Sequence, residues 1–530
     1  MKKIKVLEVN NYDLPGKRFN GYDMIQDIAD ENIDIKQAVI YKESDNKNVV
    51  KILNNQNHYI TYETLESVER EQAIHNVFSI TTSLLHTMKE YQEADIIHFH
   101  MFHNTKLSIY GLKKIASEKK VILSIHDPWF LTGRCVHFYE CNKWQKGCQN
   151  CHNLNNMFPL LKDNCSSLWN LKKQTFADID VDLVCSSDWM LDMVKSSPIL
   201  KNQTNHKIPL GIDYKKFSSI SYKDARKKLG IEDEEIVLFF RAQNEFKGTP
   251  YIVEAMKMLN TKKKITLMTC DNEGLINDLE GKYKIIELGK LKDKEMICAM
   301  NACDIFLMPS IGESFGMMAI EAMSCAKPVI VFNNSALPSV THAPKCGYLV
   351  NNKDSTDLMK AIKYLSENEK ERLSRGKLGQ KIVKEEYDIN EYNSKIKELY
   401  ISVSKRKHKV PEPQKLTEND NTNKLKAYLN KLTIRLFGNN KKITNDLLYQ
   451  IDKTKLDKEP IKYDDINVHI ILEDYMTKLE KIINTEKNIV KSNSKLRRII
   501  FYLIHDKQAL LDKFSQRFKK KDWGKVWVQK

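Results

Sequence analysis

Glu313 and Glu321 stand eight residues apart in the segment Pro309 to Met323, which follows an apolar run, Asp304 to Met308, and opens a helical pattern at about Phe315. The first turn of a helix leaves backbone N–H groups without partners and carries the positive end of the helix dipole. Ser314, Phe315, Gly316 and Met317 are therefore expected to seat a phosphate or sugar oxygen. About two turns further on, Glu321 is placed to accept hydrogen bonds from a vicinal diol such as a ribose presents, and Glu313, in the loop above, to do the same for a sugar. Arg241 and Lys247 lie in Phe239 to Gly248, a strand-to-helix turn. Negative charge grows on the diphosphate when a nucleotide–sugar bond breaks, and cations fixed in a partly dry cleft stabilise it.

His126 ends the run Val121 to Ile125, at the carboxyl end of a strand, where α/β proteins bind ligands. Asp127 beside it is expected to orient the ring. His98, inside the apolar run Asp95 to Phe99, reads as a buried structural histidine. In the opening loop Asn10 to Asp23, Gly16 and Gly21 permit close backbone approach to a ligand. Cys135, Cys141, Cys148 and Cys151 have the spacing C-x5-C-x6-C-x2-C. Four thiolates in so short a segment can close a structural zinc site, or they can remain free thiols or redox-labile pairs. A catalytic metal is not expected, because Asp178-Ile-Asp180 has no phosphate loop beside it.

These groups need strands to carry them, and two series of strands are legible. Ile4 to Val9, Ile35 to Tyr41, Asp95 to Phe99, Val121 to Ile125 and Val181 to Cys185 alternate with helical segments, the pattern of a parallel sheet. Ile236 to Phe240, Ile265 to Thr269, Ile285 to Leu288, Asp304 to Met308 and Val329 to Phe332 repeat it. The expectation is α/β: two Rossmann-like, doubly wound domains, 1–205 and 206–404, joined near Gly211. Residues 405–423, with a Lys/Arg run and Pro411-Glu-Pro413, read as a linker, and 424–530 as a basic helical extension. Eleven cysteines, no leader-like start and no apolar run of about 18 residues point to a cytoplasmic protein that does not span a membrane. The net charge of +16 is concentrated, about +14 of it, after residue 400. It describes the tail, and no nucleic-acid-reading motif accompanies it, so no nucleic-acid partner is expected.

The Glu-x7-Glu pair resembles the signature of family 4 glycosyltransferases, and the likeness covers roughly the first 400 residues. Ile208 to Phe217 is similar to that family's Pro-x-Gly-Ile-Asp run, and Ala322 to Val329 to its Ala-Met-Ala-x-Gly-x-Pro-Val run, with Ala326 in place of the usual Gly. Ala94 to His100 resembles its Asp-Ile-Ile-His-x-His stretch. His-Asp-Pro-Trp129 followed by Thr132-Gly-Arg-Cys135 resembles a subset that builds polysaccharides. The resemblance implies the GT-B fold, with two domains facing across a cleft. It also implies a retaining, metal-independent transfer of a sugar from a nucleotide-sugar donor to a glycan or lipid-linked acceptor. It gives His126 a contact with the donor sugar near its anomeric carbon, with Lys247, Arg241 and Glu313 sharing the catalytic work. Gly16 or Gly21 falls near donor phosphate and Arg18 near the acceptor.

Two other readings fit parts of the sequence. A nucleotide-sugar 2-epimerase uses a related two-domain fold, and a basic scaffold or nucleic-acid-binding protein would use the tail. The tail itself, with the apolar run Ile499 to Ile504, Lys519 to Lys521, Trp523 and Trp527, has the make-up of a segment that lies on an anionic membrane surface. That would place the enzyme peripherally on the inner face of the cell membrane.

Overall fold

The computed structural model describes residues 3–14, 20–71, 73–77, 79–155, 158–243, 245–272 and 274–408. The expected linker, beyond residue 408, and the basic extension lie outside the described residues, as does the membrane-surface reading attached to them. Among the described residues no helix is long and apolar enough to cross a membrane.

Strands with no polar face need cover on both sides, which a parallel sheet flanked by helices provides. In the first half β1 (Ile4–Tyr12), β2 (Ile33–Tyr41), β3 (Val49–Lys51), β4 (Ile96–Phe99), β5 (Lys120–Ile125), β6 (Asp182–Cys185) and β7 (Thr204–Lys207) pair in parallel, in the order β3-β2-β1-β4-β5-β6-β7. In the second half β8 (Glu235–Arg241), β9 (Lys264–Cys270), β10 (Lys284–Glu287), β11 (Ile305–Met308), β12 (Val329–Phe332) and β13 (Gly347–Val350) run β10-β9-β8-β11-β12-β13. β4, β6, β11 and β12 are buried at every residue. In each sheet the strand order reverses once, between β1 and β4 and between β8 and β11. The crevice at such a reversal, beyond the carboxyl ends of the strands, is where open α/β sheets take ligands.

β3, β7 and β13, which the sequence reading omits, are all at sheet edges. An edge strand has less apolar cover, so its pattern is weaker: β7 is Thr-Asn-His-Lys and has no buried residue. Because β7 pairs with β6, the first sheet runs to Lys207, and a boundary at residue 205 cuts through its last strand. The link between the halves is the stretch after it. Ile212 N–H donates to the Tyr387 carbonyl at 2.9 Å, and Ile389 N–H donates to the Ile212 carbonyl at 3.2 Å. The two places where the chain passes between the halves are thus tied side by side.

The second passage leads into the helix Ile389–Lys405, capped by Asp388. Its buried residues Tyr392, Ile396, Leu399, Tyr400 and Val403 recur at helical spacing and pack on the first sheet, so this helix belongs in space to the first half. Lys397 bonds Asp30, Lys120 donates to the Ser404 carbonyl, and Arg406 pairs with Asp182. One apolar cluster accordingly runs from Val6 and Ile96 through Leu210, Tyr392 and Tyr400 to Phe239 and Phe306. Two others fill the outer faces of the sheets.

Candidate functional site

The reversal point of the second sheet brings its candidate residues together. β8 ends at Arg241 and leads to Lys247; β11 ends at Met308 and leads to Glu313. Gly248 holds the two loops in contact. It turns at φ +79, and a Cβ there would meet the Pro309 carbonyl oxygen at 1.9 Å. This close approach lets Lys247 Nζ reach Glu313 Oε1 at 2.6 Å. The Glu313 loop is clamped from its other side, because Glu313 N–H donates to Ser335 Oγ at 2.9 Å and Ala336 N–H donates to the Glu313 carbonyl at 3.0 Å. Arg241 pairs instead with Asp271 at the end of β9, at 2.9 Å. Burial pushes the neighbouring Cys270 thiol up to about 11, and Asp271, Arg241 and Glu321 all act on it, which puts Arg241 and Glu321 in one neighbourhood.

The signature helix is Met317–Ser324, starting two residues later than the expected Phe315, because Gly316 adopts φ +97 and ends the loop. Phe315 is a core residue, its ring edge-on to Tyr387 at 5.6 Å. The Ser314 hydroxyl and that of Ser310 are buried, and among the described residues neither has a hydrogen-bond partner. Buried hydroxyls are normally bonded, so two orphans in one loop mark a place shaped for polar atoms from outside the chain. Ala326, where the resembled family has Gly, holds φ +57, the conformation that glycine adopts without strain.

Across from these loops stands the first half. Ser187 Oγ caps the helix Asp188–Ser196 and donates to the Ser314 carbonyl at 2.7 Å. The His137 ring lies 4.4 Å from that of Phe246, and His137 Nδ1 would be 3.3 Å from a Cβ on Gly312. Lys353 reaches over to Glu140 at 2.9 Å. The segment carrying the cysteines therefore leans over the loops that hold Lys247 and Glu313.

His126, partly buried, sits at the end of β5 with Nε2 3.1 Å from His100 Nδ1. Burial holds its pKa well below the ordinary histidine range, and His100 and His98 push the same way, so the ring is neutral at pH 7. Asp127 does not orient it. Asp127 Oδ1 accepts from Trp129 N–H at 2.9 Å, capping the next turn, while Oδ2 is 3.6 Å from His103 Nε2. The ring is held by His100, whose own Nε2 meets Glu8 Oε2 at 2.7 Å. His98 is fully buried, as expected, between Ser124 and Tyr400. Gly21 lies against Glu8 and His100: a Cβ there would be 2.7 Å from Glu8 Oε2. Gly16 and Arg18 lie outside the described residues.

The four cysteines are not gathered into one ligand sphere. Among the described residues, one group of three or more His, Cys, Asp or Glu side chains has its ligand atoms all within 4.8 Å of one another, and that group is Glu8, His98 and His100. The cysteine segment is organised around an amine of the chain's own: Lys172, whose pKa burial lowers to about 7, donates to the carbonyls of Trp129, Thr132 and Gly133 at 2.6, 2.8 and 3.2 Å. Its Nζ stands 3.5 Å from the centre of the Trp129 ring. Burial pushes the Cys148 thiol up to about 12 and raises that of Cys135, so without a metal ion both are protonated thiols at neutral pH. In this arrangement the segment does not fit a tetrahedral zinc site.

The sequence reading passed over Glu8, His100 and His137. The first two carried a signal, since an acid inside an otherwise apolar strand and a second histidine at the end of another need a partner to be buried. His137 carried none.

A family model described as "Glycosyl transferases group 1" matches residues 221–382. WcaC of Escherichia coli (strain K12), named for glycosyl transfer in colanic acid biosynthesis, is 22% identical over 284 residues, which are 50% of this chain and 66% of WcaC. The N,N'-diacetylbacillosaminyl-diphospho-undecaprenol alpha-1,3-N-acetylgalactosaminyltransferase of Campylobacter jejuni is 28% identical over 185 residues, 32% of this chain and 46% of that protein. The match thus spans less than two thirds of either relative. The solved structure of Anabaena Alr3699/HepE in complex with UDP-glucose superposes with a TM-score of 0.53 at 15% identity, covering 75% of this chain and 100% of that one. With two parallel sheets, a reversal point in each and a last helix that returns to the first, the chain has the GT-B fold, and its residues 221–382 match the group 1 glycosyl transferase family.

Proposed function

We propose that the protein transfers a sugar from a nucleotide-sugar donor to a glycan or lipid-linked glycan acceptor in the building of a surface polysaccharide. The observation that carries this reading is the Lys247–Glu313 pair, held by Gly248 over Pro309 beside the orphan Ser314 hydroxyl and the start of the helix Met317–Ser324. A fixed cation, free hydroxyls and helix N–H groups at one reversal point are what a sugar diphosphate requires. WcaC and the C. jejuni relative support the acceptor class by their names, and the HepE complex supports the donor class.

In this reading the donor lies between the halves. Glu321 takes the ribose diol, Lys247 and Arg241 face the diphosphate with Ser314 and the N–H groups of Gly316 and Met317, and Glu313 and His126 meet the sugar. Gly21 lines the first half's side. An acceptor hydroxyl attacks the anomeric carbon from the face that the diphosphate leaves. The new carbon–oxygen bond forms as the bond to phosphate breaks, and the departing phosphate oxygen takes the hydroxyl proton, so configuration is retained. Lys247 meets the developing charge without a metal ion, so a chelator leaves the rate unchanged. Closure about Gly211 keeps water from the donor. A lipid-linked acceptor would hold the enzyme at a membrane surface, and the tail is the segment to bring it there. Flotation with anionic liposomes of the full chain, and not of a chain ending at residue 404, is the expected result.

The test is incubation of labelled UDP-, GDP- and ADP-sugars with and without a lipid extract from a polysaccharide-producing bacterium. Label moving to extract together with release of free nucleoside diphosphate supports transfer. Conversion of a donor to its C2 epimer without extract would overturn it in favour of an epimerase.

A further inference from the structure

Glu8 in β1, His98 in β4 and His100 just beyond the end of β4 are completely buried, and the transfer step described above does not use them. They form a continuous chain of contacts that ends at His126. The Tyr400 hydroxyl, on the helix Ile389–Lys405, donates to Glu8 Oε1 and lies 2.8 Å from His98 Nδ1. Glu8 Oε2 is 2.7 Å from His100 Nε2, and His100 Nδ1 is 3.1 Å from His126 Nε2, with the two rings stacked at 19°.

Each of these bonds holds one proton, so the tautomers follow from one end. Glu8 is ionised: Oε1 accepts from the Tyr400 hydroxyl, and Oε2 lies 2.7 Å from His100 Nε2 and 3.4 Å from His98 Nδ1, contacts that hold its carboxyl below the ordinary range against its burial. A carboxylate only accepts, so the proton of the Glu8–His100 bond sits on His100 Nε2. Burial keeps His100 neutral, at about 4, and a neutral ring protonated at Nε2 can only accept at Nδ1. The proton between the two histidines therefore belongs to His126 Nε2, and His126 Nδ1 carries a lone pair.

We propose that Glu8 and His100 are positioning residues that fix His126 as its Nε2–H tautomer, so that His126 Nδ1 accepts a hydrogen bond from a hydroxyl of the donor sugar, and that Tyr400 ties this chain to the helix returning from the second half. The proposal rests on the reading of His126 as a donor-sugar contact. It also gives Gly21 a task. With φ +77 and a Cβ position 2.7 Å from Glu8 Oε2 and 3.0 Å from His100 Nε2, Gly21 leaves the room that the Glu8–His100 contact needs.

The test uses the full chain with histidines labelled with 15N, because two-bond nitrogen–proton spectra read the tautomer directly and independently of turnover. The His126 signal, assigned by its loss in His126→Ala, is expected in the Nε2–H pattern in wild type, with a shift toward the Nδ1–H form in Glu8→Gln, where the amide can donate to His100. An Nδ1–H pattern in wild type overturns the proposal. So does a pattern that Glu8→Gln leaves unchanged. Should Glu8→Gln fail to fold, the wild-type spectrum still decides. In turnover, Glu8→Gln is expected to lower kcat by about 10- to 100-fold, a milder case of the loss seen when a serine protease's orienting aspartate becomes asparagine. In a His126→Ala background the same change should cost less than about twofold, because the two residues act as one unit. An equal cost in both backgrounds would mark Glu8 as merely structural. A wild-type Nε2–H pattern with His126→Ala fully active would leave the tautomer chain standing and remove the sugar contact, so the two claims fail separately.

Discussion

Replacing Gly248 with alanine probes the contact on which the Lys247–Glu313 pair depends. Two costs add. The residue turns at φ +79, which charges an alanine roughly 1–2 kcal/mol for the left-handed conformation. Its Cβ would also lie 1.9 Å from the Pro309 carbonyl oxygen, against an ordinary contact of 3.4 Å or more. The two loops must therefore part by about 1.5 Å, at roughly 1–3 kcal/mol for overpacking a tight site. The sum, roughly 2–5 kcal/mol, should lower the melting temperature by several degrees. The same displacement carries Lys247 away from the donor phosphates, and a misplacement of about 1 Å costs about 100-fold in turnover. Gly281→Ala separates the two costs, since Gly281 turns at φ +80 with nothing within 4 Å of the added carbon. It should lose roughly 1–2 kcal/mol and keep full activity. Thermal unfolding and donor turnover of the two variants side by side are the assay. If Gly248→Ala matched Gly281→Ala in both, the packing of the loop on Pro309 would not be what positions Lys247.

Asp127→Asn should stabilise the protein in a pH-dependent way. Burial pushes the Asp127 carboxyl up to about 6 from an ordinary value of 3.8, so the stability it contributes is full below about pH 4 and is lost as pH rises through about 6. The amide removes that loss, giving a gain of up to about 3 kcal/mol above pH 6 and none below pH 4 in denaturant titrations; a gain that is the same at both pH values would refute the assignment. Lys247→Ala should lower kcat more than it weakens donor affinity, because its charge counts most as the diphosphate leaves; equal losses would mean that it binds substrate and transition state alike. The dispersed thiols predict well under one zinc per chain in protein prepared without chelator, with Cys135, Cys141, Cys148 and Cys151 open to thiol reagents once unfolded. About one zinc per chain by elemental analysis would mean that the segment 133–151 regroups.

Most of the fold was legible because its inner strands have no polar face. β11 and β12 are apolar throughout, β4 and β6 are apolar but for His98 and Asp182, and all four are buried at every residue, so such runs announce themselves. The edge strands β3, β7 and β13 escaped since pairing on one side relaxes that demand, and Thr204–Lys207 has no apolar residue at all. At the site, Lys247 and Glu313 could be put on their loops from the spacing, as the loops are short and a single glycine fixes their contact, while the signature helix starts two residues later than its pattern suggests because Gly316 ends the loop. The partner of His126 could not be found by proximity in the chain. Asp127 is adjacent, yet the backbone turns so that it caps Trp129, while the ring is held by His100 and Glu8 from strands 26 and 92 residues apart at their contact. The cysteine spacing suggested a metal, whereas a buried lysine from the helix Cys165–Ala177 fills the organising role. No local pattern signals a lysine that arrives from another helix.

The central claim is that the crevice of the second half binds a nucleoside diphosphate through Glu321 and the loop above it. Thermal unfolding of wild type and Glu321→Ala with millimolar UDP, GDP and ADP tests it directly. A diphosphate at about 100 times its dissociation constant adds roughly 2.7 kcal/mol, so at least one of the three should raise the wild-type melting temperature by several degrees. In the variant the ribose loses a charged acceptor worth roughly 1.5–3 kcal/mol, and most of that rise should vanish. No stabilisation by any of the three, or a rise that survives in Glu321→Ala, would contradict the account.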